Sequence, residues 1–199
     1  MPKVLSTADI ADFRERLCDA AETQFGAHGL DGITIRALAA ELGVSAMTPY
    51  RYFDDKDEII AAVQARAFAR FAAALEAETD ADAAAFARGV SRAYVRFAFE
   101  HPEAYRLMFD ISQPNRDKYP ELAAAADRAR KTMTAYVCAL VDAKLIEGDP
   151  ELIGHVYWAQ IHGLVMLKLS DNLSPHLSFE AIAAEAARAL AEGFRAKPH

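Results

Sequence analysis

Strand-like alternation is absent from this 199-residue chain, glycine is scarce at nine residues, and no apolar run is long enough to span a bilayer. Set beside abundant alanine, the first two lacks argue against a sheet-based fold and favour an all-α protein. The most apolar long stretch, Val156 to Leu169, is interrupted by Gln160, His162 and Lys168, so no membrane association is expected. A secretion signal would need an apolar run where Asp9 and Asp12 stand, which makes a cytoplasmic location the expectation. There are only two cysteines. Cys18 and Cys138 sit far apart within expected helices, without metal-ligand spacing, and are read as reduced, buried small hydrophobes.

Catalytic signatures are missing as well. The chain has no glycine-rich phosphate loop, no nucleophile elbow and no cysteine-histidine ladder, so neither an enzyme nor a cofactor is expected. His155 and His162 lie two turns apart on one helix, but two histidines alone make a poor metal site, and packed or interface histidines are the better reading. Positive charge is also in deficit. The net charge is -7, and residues 1–60 hold six basic side chains against eleven acidic ones. Such a region does not grip a polyanion by bulk electrostatics. Its acids gather on the first helix and around Asp54 to Glu58, which leaves Arg36, Arg51 and Lys56 to cluster on one surface.

What is present is organised around Ile33 to Phe53, which reads as two short helices joined by a tight turn. Thr34 is placed to cap the first helix, whose apolar positions Ile35, Leu38, Ala39 and Leu42 share a face. Gly43 ends it, and Ser45 caps a second helix beginning at Ala46. Pro49 is then the fourth residue of that helix, where the lost hydrogen bond is the first of the ladder. The expectation is a strained helix that is not broken.

These residues resemble the tetracycline-repressor family of bacterial transcription regulators. The match takes in Leu17, Ala20, Ala21, Phe25 and Gly29, then Thr34, Ile35, Leu38, Ala39, Leu42 and Gly43-Val44-Ser45, and lastly Thr48, Tyr50, Tyr52-Phe53 and Lys56. Pro49 stands where the family usually has an aliphatic residue. The resemblance implies a three-helix DNA-binding module with a helix-turn-helix over residues 1–60, followed by a helical ligand-sensing and dimerisation bundle over 61–199, about nine helices in all. For Tyr50 and Tyr52 it implies hydroxyls on DNA phosphates, against the plainer reading of both as core aromatics. Lys56 would add a phosphate contact. By side-chain chemistry, Arg36, Met47, Thr48 and Arg51 are suited to base edges, arginine to guanine and the methyl groups to thymine. Thr34 and Ser45 complete the expected DNA-binding set.

Along the rest of the chain, a long helix from Asp55 to about Glu78 bridges the two domains. Asp80 or Asp82 opens the next, with Phe86, Val90, Tyr94 and Phe97 on one stripe and Arg88, Arg92 and Arg96 on an opposite, solvated one. Pro102 starts a short helix carrying Tyr105, Met108 and Phe109. The polar connection from Ile111 to Tyr119 is expected to be mobile and near a pocket mouth. Pro120 restarts a helix that runs to Gly148. Two long helices, from Pro150 to Asp171 and from Ser178 to Arg195, are apolar over much of their circumference. They predict a homodimer through two helices from each copy, with Gly163 allowing close approach.

Trp158, His162 and Gly163, with the HPEAYRLMF stretch, resemble a C-terminal domain found behind such DNA-binding modules and named for its Trp, His and Gly. That resemblance implies sensing of a small-molecule effector. Phe71, Tyr94, Phe97, Tyr105, Met108, Phe109, Met133, Tyr136, Trp158 and His162 are the candidate ligand-binding residues, suited to an apolar or aromatic molecule. The leading expectation is a ligand-responsive repressor on near-palindromic duplex DNA. The alternative is a helical ligand-binding or protein-interaction module that keeps the fold without the DNA binding.

Overall fold

The computed structural model describes residues 6–109 and 114–196, and it is all-α. Among the described residues the helices are α1 (Thr7–Gly32), α2 (Ile35–Glu41), α3 (Lys56–Glu76), α4 (Ala83–Glu100), α5 (Pro102–Met108), α6 (Pro120–Asp142), α7 (Pro150–Leu169) and α8 (Phe179–Gly193). Two 3₁₀ turns, Pro49–Arg51 and Arg116–Lys118, complete the order. The chain packs as two compact units that interleave in sequence: Met1–Ala69 with Glu103–Asp127, and Arg70–Pro102 with Arg128–His199. Both α3 and α6 contribute residues to each.

Local chemistry sets the element boundaries of the first unit. The Ser6 hydroxyl accepts from the Asp9 amide at 3.1 Å while the Asp9 carboxylate accepts from the Ser6 amide at 3.0 Å, a reciprocal cap that starts α1. Gly29 interrupts that helix in a left-handed conformation, φ 68°. The Thr34 hydroxyl accepts from the Ala37 amide at 3.1 Å and starts α2. At its end Gly43 turns left-handed, its amide bonding the Ala40 carbonyl at 3.1 Å and the Val44 amide bonding the Ala39 carbonyl at 2.9 Å. This crossed pair uses carbonyls that a helix end leaves open. Phe13, Leu17, Ala21, Phe25, Ile33, Leu38, Phe53, Ile59, Val63 and Leu107 form the core, with Ile35, Leu42, Val44 and Tyr52 packed at its edge.

In the second unit, Asp82 caps α4 and Ser178 caps α8, each accepting from the amide three residues on. Val90, Tyr94 and Phe97 face inward from α4, and Phe71 meets both Tyr94 and Phe97 edge-on with ring centroids 5.2 Å apart. Gly154 lets α7 lie close to α6, since a Cβ there would stand 2.5 Å from Thr134 Cγ2. Two expectations need correction. The sixth helix stops at Asp142, short of Gly148, because Lys144 turns left-handed (φ 56°) and the Lys144 and Leu145 amides bond the Val141 and Leu140 carbonyls. Cys138 is exposed, because α6 turns Met133, Tyr136, Val137 and Leu140 inward and position 138 falls on the other side. Cys18 is buried as expected, and burial pushes its thiol up.

Candidate nucleic-acid interface and effector cavity

The segment expected to be a second short helix is a pair of tight turns. The Thr48 amide bonds the Ser45 carbonyl at 2.9 Å, the Arg51 amide bonds Thr48 at 3.1 Å and the Tyr52 amide bonds Pro49 at 2.9 Å, each spanning three residues where an α-helix spans four. Pro49 is the reason. Its nitrogen has no proton to give the Ser45 carbonyl, so that carbonyl pairs one residue earlier. The proline ring is buried, which anchors the turn to the module. Ser45 does not cap through its side chain as expected, and its hydroxyl instead pairs with the Thr48 hydroxyl at 3.0 Å.

Around this turn the structure divides the expected contact residues. Thr34, Arg36, Ser45, Met47, Tyr50 and Arg51 are exposed and Thr48 is half-buried. Met47 is 69% exposed and Tyr50 49% exposed. Neither Arg36 nor Arg51 enters an ion pair among the described residues. Tyr52 serves the core, its ring stacked on Phe13 with centroids 4.2 Å apart. Lys56 directs its ammonium to the Leu30 carbonyl at 2.8 Å, holding the exit of α1. At the start of α3, the Asp55 carboxylate accepts from the Glu58 amide at 2.8 Å, so this helix terminus is already capped by an acid.

Arg14 is the residue that sequence reasoning missed. Its guanidinium donates to the Tyr52 carbonyl, lies 3.4 Å from Glu58 Oε1 and stands 4.0 Å above the Phe53 ring. It therefore fixes the far end of the turn whose near end is fixed by Gly43. Nothing local to Arg14 signals this, since its carbonyl partner is 38 residues away. Much of the local acidity is also committed to structure. Asp19 and Glu15 pair with Arg66, Glu41 accepts from Gln24, and Asp55 receives Lys118 at 3.3 Å and the Tyr119 hydroxyl at 3.5 Å. The Glu58 amide foremost, then Lys118 and Tyr119, hold the Asp55 carboxyl below its ordinary value.

Lys118 and Tyr119 belong to the connection expected to be mobile. Ile111, Ser112 and Gln113 lie outside the described residues. From Pro114 onward the chain forms a turn in which Asn115 Oδ1 accepts from the Asp117 amide at 3.0 Å.

The ten candidate ligand residues fall in both units. Tyr105, Met108 and Phe109 pack in the first, where Tyr105 and Phe109 meet edge-on at 5.0 Å. The other seven are in the second. Phe71, Tyr94, Phe97 and Met133 are buried there, while Trp158 and His162 are half-buried on α7. Burial holds His162 below the usual imidazole range. A cavity of about 680 Å³ opens in this unit between α4, α6, α7 and α8. Of the ten candidates only Tyr136 lines it, beside Tyr157, whose ring centroid is 6.3 Å away. Burial raises the phenol pKa of both tyrosines, so each remains a neutral donor. On another side of α7, Leu152, Val156, Ala159, Gly163 and Met166 recur at alternate steps of four and three. Leu152 is 61% exposed, and a Cβ at Gly163 would meet no atom within 4 Å. No described helix is long and apolar enough to cross a membrane.

Comparison with known proteins agrees with the all-α fold. Residues 17–63 match the bacterial regulatory proteins of the tetR family, and residues 87–192 match the tetracyclin repressor-like C-terminal domain. An uncharacterised HTH-type transcriptional regulator of Mycobacterium tuberculosis is 26% identical over 162 residues, 79% of this chain and 70% of that protein. A second from the same species is 33% identical over 110 residues, and there the chain spans about half of the relative's length, 46%. Among solved structures, a protein of unknown function from Rhodococcus sp. RHA1 superimposes with a TM-score of 0.79 at 26% identity, covering 99% of this chain and 100% of that one. The TetR family transcriptional regulator PfmR from Thermus thermophilus shares the fold, with a TM-score of 0.69 at 22% identity over 88% of this chain and 97% of that one. The chain belongs to the tetracycline-repressor family of bacterial helix-turn-helix transcriptional regulators.

Proposed function

We propose that the chain is a ligand-responsive repressor that binds a near-palindromic operator as a homodimer and is released by a small apolar or aromatic effector. The observation that carries the DNA side is the reading turn. Met47, Tyr50 and Arg51 project from a segment held at one end by the Gly43 turn and at the other by Arg14. A large apolar side chain left 69% exposed beside unpaired arginines suits a groove that offers thymine methyls and guanine acceptors. In this reading Arg36, Met47, Thr48 and Arg51 take base edges. Tyr50, the hydroxyl of Tyr52 and the remaining protons of Lys56 take phosphates, with Thr34 and Ser45 at the margins of the contact.

The dimer places two such turns in successive major grooves, about 34–36 Å apart. Support for the pairing surface comes from α7. Its stripe of Leu152, Val156, Ala159, Gly163 and Met166 follows the seven-residue repeat with which helices pack side by side, and α8 lies against α7 to supply the second helix. An effector shifts the equilibrium only by its differential affinity for the two states, typically about 1–3 kcal/mol of coupling. Helix α3, which continues from Lys56 to Glu76, is the covalent route for that response. Repression is the sign of regulation common in the family.

A gel-shift titration of the DNA upstream of the gene tests the contacts. Tyr50→Phe and Arg36→Ala each weaken the complex if the assignment holds. Wild-type affinity in both variants would remove it. Quenching of Trp158, the single tryptophan, reports effector binding on the same protein.

A further inference from the structure

The stripe Arg88, Arg92 and Arg96, expected to be a solvated face of α4, borders the cavity of the second unit. Its three members differ. Arg96 is occupied by Glu78 at 3.1 Å, whereas Arg88 and Arg92, one turn apart, are exposed and make no ion pair among the described residues. The cavity walls below them are largely apolar, from alanine methyls, Val95, Leu140 and Ile161 and from the rings of Phe179, Tyr136 and Tyr157. Alanines from α4 and α8, with Leu140 and Ile161, leave few directional partners for a ring bearing several polar groups. Polar groups are confined to the phenols of Tyr136 and Tyr157, to Ser91 and Gln160, and to Glu180, which is the one acid on the wall. The volume, about 680 Å³, falls within the range of ligand sites.

We infer that this cavity binds a single-chain anionic amphiphile, a fatty carboxylate, with its alkyl chain along the alanine walls and its carboxylate on Arg88 and Arg92. The inference names the effector class for the ligand-responsive reading above and rests on that reading for its regulatory meaning. Charge complementarity selects this occupant. A chain of net charge -7 repels anions in general, yet here it sets two unpaired guanidiniums at the mouth of an apolar slot. Guanidinium forks match carboxylates in geometry, and an alkyl tail needs only surface to cover. Glu180 disfavours a second negative charge on its side of the mouth, which fits a monoanion.

Calorimetric titration of the full-length protein with sodium laurate, below its micelle concentration and without DNA, tests the site, with dodecanol as the uncharged partner of equal chain length. The expected result is saturable laurate binding at one site per protomer and at least tenfold weaker binding of dodecanol. Arg88→Gln with Arg92→Gln lowers laurate affinity about tenfold and leaves dodecanol unchanged. Ala187→Trp, which fills the slot from an exposed position on α8, removes both ligands. Circular dichroism melting confirms that each variant is folded. Equal affinity for acid and alcohol, indifference to the arginine pair, or binding that survives Ala187→Trp would each overturn the inference. Laurate that binds as described but leaves the operator complex intact upholds this site and contradicts only the release reading.

Discussion

Replacing Gly163 by leucine separates a chain that works alone from one that works in pairs. Within one protomer the substitution is benign, because a Cβ at this position meets nothing within 4 Å. Leucine in the middle of a helix is even favoured over glycine, by roughly 0.5–1 kcal/mol. The balance reverses if the α7 stripe is covered by a second copy. Four new heavy atoms must then enter a packed contact, at a cost of roughly 1–3 kcal/mol for each copy. A two-fold interface carries the substitution twice, so the dimer loses roughly 2–6 kcal/mol. That corresponds to a dissociation constant raised roughly thirty-fold to twenty-thousand-fold. Sedimentation velocity over a micromolar concentration range reads the change, and circular dichroism shows that the monomer keeps its helices. A variant that dimerises as tightly as the wild type would refute the placement of the interface, because the Cβ at this position points into open space within the protomer.

Three further outcomes follow from the first unit. Arg14→Met keeps an apolar stem but removes both the donor to the Tyr52 carbonyl and the cation above the Phe53 ring. Since Arg14 is one-third exposed, a loss of roughly 1–2 kcal/mol in urea unfolding is expected, with a larger loss of operator affinity than Arg16→Met causes. Pro49→Ala restores an amide that the Ser45 carbonyl would accept, so the turn lengthens toward an α-helix. Amide hydrogen exchange at residues 50–52 should slow, and unchanged exchange would remove proline as the cause of the turn. Asp55 supplies the acid-range test. Its folded pKa lies below the ordinary 3.8, so the stabilisation from the Glu58 amide and Lys118 is complete above that value and is lost as pH falls through the folded value. Asp55→Asn should therefore be less stable than the wild type at neutral pH, with the gap closing below about pH 3.8. A gap that stays constant with pH would exclude the carboxylate as its source.

The features that the chain announces in advance are those decided within a few residues. Ser6 with Asp9, Thr34, Asp82, Pro102, Pro120 and Ser178 each begin a helix where hydroxyl, carboxylate or imino-acid chemistry places a start, and Gly29 and Gly43 interrupt or end helices by turning left-handed. The apolar periodicity of Ile35, Leu38 and Leu42 likewise found one wall of the first core. Distance in sequence concealed the rest. The clamp of Arg14 on Tyr52 and the hold of Lys118 on Asp55 join residues that no local pattern links. The segment around Pro49 departs from the helical expectation for another reason. Two local signals compete there, a helical apolar pattern and a missing amide at Pro49, and periodicity does not say that the missing bond redirects the Ser45 carbonyl. On α4 the arginine spacing reads the same whether its neighbour is water or a cavity. Only packing distinguishes the two.

A fluorescence-anisotropy titration of the protein on a labelled inverted repeat taken from beside the gene, at two salt concentrations, reads stoichiometry and ionic dependence together. Two protomers per duplex are expected. With one phosphate neutralised by Lys56 of each protomer, affinity should fall by roughly tenfold between about 50 and 200 mM salt. Absence of binding at the lower salt, or a complex holding one protomer whose affinity ignores salt, would contradict the claim that Met47 to Tyr52 reads duplex DNA.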